Sequence, residues 1–334
     1  MPTITVQTPT GTVNFFYTIS TPTETHAESI DKDIPTVLFL HSVYNGQEIF
    51  ELQWEEPRIR RFNCVGIDMR EHGYTTGDKV PEGYGQKDAA DDIALVMQAL
   101  KILTFHIVGQ SMGTIVGLAL AVYYPETVLS LCLVSPLVLE ETPDVVEGRA
   151  EIAEYWKQGF TDGTKIDVSA LQDAVYGAMQ FALNNRMDSF SNALINRTYP
   201  LIVEAWSKKN FDIYDRMMGD FSNNRREYTD AELARISVPV KLIHGRDDIA
   251  YPVERTQTLL GRLLNAGVNA SFIDIPDAPH WVCTYTASAP RVNEIIADFL
   301  EHTCKGTAPP IPAQAVSPWE ADLIKAGWER EEDD

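Results

Sequence analysis

Phe105-His106-Ile107-Val108-Gly109-Gln110-Ser111-Met112-Gly113-Thr114 is an apolar run that leads into Gly-x-Ser-x-Gly, with a helical pattern directly behind it. That order predicts a strand, a sharp turn and a helix, the context in which the motif carries chemistry. Gly109 and Gly113 lack a Cβ, so strand and helix can crowd together at the corner. Ser111 then projects from the carboxyl edge of a parallel sheet, where open sheets of this kind bind ligands. Alone, the motif also fits a surface turn; the flanking pattern and the partners downstream decide for the strand–turn–helix reading.

Working outward, Ile4, Val6, Val13, Phe15 and Tyr17 alternate around Thr8-Pro9-Thr10-Gly11 and predict two strands joined by a turn. The continuous apolar run at 35–40 reads as a strand covered on both faces and 63–68 as another buried strand, with further strands expected at 128–135, 238–245 and 270–275. Helices are expected at about 47–61, 84–103, 253–266 and 281–301, the second from the stripe Ala89, Ile93, Val96, Met97 and Leu100. Strands alternating with helices imply a mostly parallel central sheet with crossover helices.

Between about 137 and 235 the strand pattern stops and an aromatic-rich helical pattern replaces it. The expected organisation is a core at 1–136 and 236–302, a helical cap inserted at 137–235 after the sixth strand, and a tail at 303–334. The cap would lie over Ser111; an independent helical domain is the other reading. The tail opens with Pro309, Pro310 and Pro312 and continues into a helix with Pro318 at its first position. Trp319, Leu323 and Trp328 should dock it on the body or on a partner.

Composition sets bounds. A net charge of -21 and a hydrophobic fraction of 44% describe an acidic globular chain. Such a charge argues against nucleic acid or anionic membrane as the main ligand. No apolar stretch has the length of a membrane span and no signal peptide is evident, so a cytoplasmic address is expected. Cys64, Cys132, Cys283 and Cys304 match no zinc or disulfide spacing. Cys283 follows a candidate catalytic residue closely, and packing is its expected role.

A serine hydroxyl needs an adjacent base, and the base needs an orienting carboxylate. In this architecture the chain order is Ser, acid, His. Ser111 is followed by Asp247-Asp248 just past a strand end, then by His280 past the last strand. Asp248, four residues before Pro252, is the chosen acid, and Asp247 competes with it. His41, His72, His106 and His244 also lie near strand ends, and only His280 has the final-strand position. Acyl transfer needs backbone N–H groups aimed at the developing oxyanion. Met112 is expected to supply one, and the loop after Leu40 the second, from Val43 or Ser42.

Taken together, the chain resembles the α/β-hydrolase superfamily, and within it the branch of enol-lactonases, haloperoxidase-like esterases and meta-cleavage C–C hydrolases. The resemblance rests on Leu38-Phe39-Leu40-His41-Ser42, Asp68-Met69-Arg70-Glu71-His72-Gly73, Ala90-Asp91-Asp92-Ile93, Val108-Gly109-Gln110-Ser111-Met112-Gly113, His244-Gly245-Arg246-Asp247-Asp248 with Pro252, and His280. It implies a serine hydrolase acting without a cofactor or metal on a small carboxylic ester or lactone through an acyl-enzyme. The same triad on a C–C bond of a diketone, or a receptor that keeps the fold without catalysis, are its alternatives. A small molecule is the implied partner, with neither nucleic acid nor membrane and with room for a homodimer. Asp68 and Arg70 resemble the family's structural pair. His41, Tyr155, Trp156, Trp206 and Trp281 are candidate pocket residues, with Tyr199 and Tyr214 beside them. Three positions depart from the family pattern: Ser42, Thr114 and Pro279 stand where glycine is usual.

Overall fold

The computed structural model describes residues 2–137, 140–160 and 166–330. Among the described residues nine strands form one sheet: β1 Thr3–Thr8, β2 Gly11–Ser20, β3 Thr36–Leu40, β4 Asn63–Ile67, β5 Thr76–Gly77, β6 Phe105–Gln110, β7 Val128–Val134, β8 Val240–Gly245 and β9 Ala270–Ile275. Their order is β1-β2-β4-β3-β6-β7-β8-β9, with β5 paired to β2. β2 runs antiparallel to both β1 and β4, and β4 through β9 along that path are parallel. β3, β4 and β6 are buried at every residue, which is why their sequences are continuous apolar runs and do not alternate.

Helices α1 Gln86–Ala99, α2 Met112–Tyr123, α3 Pro143–Gln158, α4 Val168–Leu183, α5 Ser189–Ala205, α6 Val253–Asn265, α7 Ala289–Thr303 and α8 Glu320–Lys325 complete the main elements. α3 to α5 lie within the insertion. Local signals start each of them: Thr142 caps α3 ahead of Pro143, Asp167 caps α4, and Asp188 forms a capping box with Ser191 on α5. α3 and α4 are antiparallel, with Gly148 against the Phe181 ring and Gly177 against Ile152. A further helical stretch, 211–223, contains a π-helical run at Asp215–Asp220.

Four sequence expectations shift. The insertion follows the seventh strand, because the two-residue β5 joins the sheet edge. The helix expected at 47–61 is three short pieces, Gln47–Phe50, Glu51–Trp54 and Pro57–Arg60. Pro57 cannot continue a helix, and Glu56 caps a new one by accepting from the Arg58 N–H. The last core helix begins at Ala289, and 281–288 forms turns. In the tail, Pro318 lies before the helix and Trp319 is its N-cap.

The tail docks on the body. The Trp319 ring lies 4.7 Å from that of Trp54 in the core, and the Trp328 ring 5.1 Å from that of Phe190 on α5. Arg197 on α5 pairs with Asp322 at 2.9 Å, and Asn196 donates to the Ala326 carbonyl at 2.9 Å. One end of the tail therefore holds the core and the other holds the insertion.

Beneath it, buried Glu51 accepts from the Ser317 hydroxyl. Burial pushes its carboxyl up to about 8; Glu55 and Glu320 add to the rise, and Ser317 and Arg330 oppose it. An unfolded glutamate titrates near 4.5, so the folded chain holds an extra proton between those values. The stability this contributes is full below the lower value and is lost as pH climbs to the upper one. Thermal melts from about pH 5 to about pH 9 should show a smaller fall for Glu51→Gln than for wild type; equal falls would contradict the assignment.

Candidate active site

Four loops converge at the carboxyl edge of the parallel strands. Ser111 follows β6 with φ 53° and ψ -114°, a strained geometry for a side-chain-bearing residue. The turn demands its glycines: a Cβ on Gly113 would lie 2.0 Å from the Leu40 carbonyl oxygen. Thr114, which departs from the family pattern, has a place: its hydroxyl donates to the Ser111 carbonyl at 2.5 Å and accepts from the Leu137 N–H at 3.1 Å.

Asp248 follows β8. Its Oδ1 accepts from the N–H groups of Ala250 at 3.0 Å and Tyr251 at 2.9 Å. Oδ2 lies 2.5 Å from His280 Nδ1, and His280 Nε2 lies 2.8 Å from Ser111 Oγ. Asp247, the competing acid, points away and pairs with Arg186 at 2.5 Å, both side chains about a third exposed (33% and 38%). The His280 loop crosses the end of β8 closely: a Cβ on Gly245 would lie 2.2 Å from the Pro279 carbonyl oxygen. The Ser135 hydroxyl donates to the His280 carbonyl, and the Trp281 N–H donates to Ala182 at the end of α4 at 2.8 Å. The imidazole is thus fixed from the core and from the insertion together.

Among the described residues, the N–H groups of Met112 and Val43 have no protein acceptor. Both flank the Ser111 turn, one at the start of α2 and one in the loop after β3. Ser42 Oγ is buried with no partner among the described groups.

A cavity of about 40 Å³ of water-accessible space opens beside Ser111 and His280. Val43, Tyr44, Val145, Arg149, Phe181 and Trp281 are among its walls. A second, apolar recess of about 30 Å³ adjoins it at Tyr44, Ile152 and Trp281 and runs between α3, α4 and α5.

The candidate pocket residues divide. Trp281 lines both spaces, and Trp156, Tyr199 and Tyr214 line the recess. His41 lines neither: its Nδ1 bonds the Ser42 carbonyl at 2.7 Å and its Nε2 accepts from the Met69 N–H at 2.8 Å. Burial, with His72 beside it, pushes its pKa down to about 3, so it is a neutral structural group. Trp206 is fully buried among Tyr44, His72 and Tyr214 and braces the wall from behind. Tyr155 is exposed, because Ile152 and Trp156 hold the inward phase of α3 and Glu154 and Tyr155 between them face solvent.

Asp68 and Arg70 do not pair with each other. Asp68 accepts from the N–H groups of Gln47 and Tyr74, and Arg70 lies 3.6 Å from Asp92. Cys283 is buried, its thiol pushed well up by that burial.

Sequence reasoning missed Arg149, Tyr44 and Tyr251. Val145, Arg149, Ile152 and Trp156 fall on one face of α3, so a lone cation on an apolar stripe was the available signal.

This arrangement can take a proton from a hydroxyl and hold a carbonyl oxygen against backbone donors, the layout of a serine hydrolase. The chain belongs to the α/β-hydrolase fold family, whose profile matches residues 35–285; membership places it among hydrolases. It is 26% identical over 263 residues, 76% of this chain and 93% of the other, to a protein of Agrobacterium fabrum assigned as carbamate hydrolase RutD. An esterase of Thermogutta terrifontis superposes with a TM-score of 0.62 at 19% identity, over 91% of this chain and 100% of that one. The enol-lactonase of Burkholderia xenovorans does so with 0.61 at 21% identity, over 86% and 96%. No helix among the described residues is long and apolar enough to cross a membrane.

Proposed function

We propose that this hydrolase cleaves a small carboxylic ester or lactone by way of a covalent acyl-enzyme on Ser111. The observation that carries the reading is the continuous path Ser111 Oγ, His280 Nε2, His280 Nδ1, Asp248 Oδ2, at 2.8 and 2.5 Å, beside a largely apolar cavity. As Oγ attacks the carbonyl carbon, Nε2 takes its proton, and Asp248 holds the ring and steadies the imidazolium. The N–H groups of Met112 and Val43 receive the oxyanion, each worth about 3–4 kcal/mol in such sites. His280 then passes its proton to the departing alcohol. In the second half it draws a proton from water, which attacks the acyl carbon; the bond to Ser111 Oγ breaks and His280 returns that proton to Oγ, freeing Ser111 and the acid.

The insertion acts as a cap in this reading, since α3 and α4 roof the cavity and exclude water from the reacting centre. The family includes proteins named for cleaving esters, lactones and carbamates, all of which place a heteroatom leaving group on a carbonyl. The test is a panel of short p-nitrophenyl esters, unsubstituted γ- and δ-lactones, and a vinylogous diketone, with products identified. Turnover of esters or lactones supports the proposal. Cleavage of the diketone alone, or of nothing, contradicts it.

A further inference from the structure

Arg149 lines the same cavity as Ser111 and His280. It also lines an outer groove of about 750 Å³ between α3 and the 211–223 helix, and so stands between the two spaces. Its side chain is only 12% exposed. Nη1 donates to the Met218 carbonyl at 3.3 Å, within the π-helical run, and Nη2 donates to the Tyr251 hydroxyl at 3.2 Å. Nε is buried and has no hydrogen-bond acceptor among the described residues. The nearest carboxylate oxygen, Glu141 Oε2, lies 3.7 Å from Nε, beyond hydrogen-bond range. That oxygen already accepts from the Tyr251 hydroxyl at 2.9 Å and from Arg225 at 3.1 Å.

A guanidinium is costly to place under an apolar roof, and an aliphatic side chain would fill the same stripe of α3 without that cost. What it offers in return is a planar donor fork matched to a carboxylate. We propose that Arg149 is a specificity-determining residue that binds a carboxylate carried by the substrate, so that the preferred ester or lactone is a small, singly anionic molecule with an apolar body. The adjoining recess, walled by Met179, Ile195 and Ile202, suits that body. One partly compensated cation beside Glu141 favours a monoanion over a doubly charged phosphate. The net charge of -21 repels anions at a distance, so the local cation is what would admit one. This proposal rests on the ester or lactone reading of the same cavity.

The test compares pairs that differ in a carboxylate for a carboxamide: monomethyl succinate against methyl succinamate, and, with the charge on the alcohol side, acetoxyacetate against acetoxyacetamide. Wild type should prefer the anionic member of at least one pair by about tenfold or more in kcat/KM, expressed mainly in KM. Arg149→Gln and Arg149→Met should collapse that ratio, and Arg149→Lys should restore part of it. Equal rates in both pairs, with Ser111-dependent turnover intact, would overturn the role of Arg149 and leave the ester reading standing. A ratio that survives Arg149→Gln, or a proportional fall on both members with no rescue by lysine, would likewise overturn it. No turnover of any of the four, where the p-nitrophenyl esters or lactones are turned over, would overturn the role of Arg149, and no turnover of the whole set would overturn the ester reading itself. The wild-type comparison decides even where a variant fails to fold.

Discussion

Ser111→Ala is expected to lower kcat on any ester or lactone the chain turns over by about 10⁴ or more, with an unchanged thermal midpoint. The alanine keeps the backbone of the turn and removes only Oγ, the atom 2.8 Å from His280 Nε2. The glycines that force the corner, Gly109 and Gly113, are untouched, and Thr114 still ties the residue-111 carbonyl to α2. The loss should not deepen when His280→Ala is added, because the two groups act as one unit. Steady-state rates on purified protein check this. A variant that retains activity within about tenfold of wild type would mean that another nucleophile does the chemistry.

Asp248→Asn should cost about 10⁴ in kcat at neutral pH, and Asp247→Asn less than about tenfold. Asp248 Oδ2 accepts a hydrogen bond from His280 Nδ1, 2.5 Å away, and the carboxylate is itself held by two backbone N–H groups. An asparagine there presents its NH₂ or loses the charge. In the first case the ring carries its proton on Nε2 and cannot accept from Ser111; in the second the imidazolium goes unsupported. Asp247 makes a partly exposed pair with Arg186, worth at most about 1 kcal/mol. The two adjacent substitutions thus form an internal control, read by kcat on one substrate and by thermal midpoint. Reversed or equal effects would contradict the geometry.

The sheet was legible because buried parallel strands write themselves as largely apolar runs, and β3, β4 and β6 do so. Ser111, Asp248 and His280 were legible from chain order and from their positions just past strand ends, although order alone left Asp247 open. The structure separates the two acids by the direction each side chain leaves the loop. Side-chain direction in the insertion was harder to read. Tyr155 and Trp156 are neighbours of similar character, and only the phase of α3, set by its packing on α4, puts one outside and the other at the recess. His41 looked like a pocket group because it ends β3, yet Met69 and Ser42 hold both its ring nitrogens. Arg149 was missed: it is a charge on an apolar stripe whose meaning depends on contacts to Met218 and Tyr251, which lie 69 and 102 residues away. The tail's aromatics announced docking; that they would bridge Trp54 and Phe190 follows from tertiary placement alone.

The most direct measurement is mass spectrometry of the chain after reaction with a fluorophosphonate, which reports an activated serine whatever the natural substrate is. A single adduct on Ser111, strongly slowed by His280→Ala, is the result expected here. An unreacted Ser111 in folded protein, or an adduct on another side chain with Ser111 free, would contradict the account.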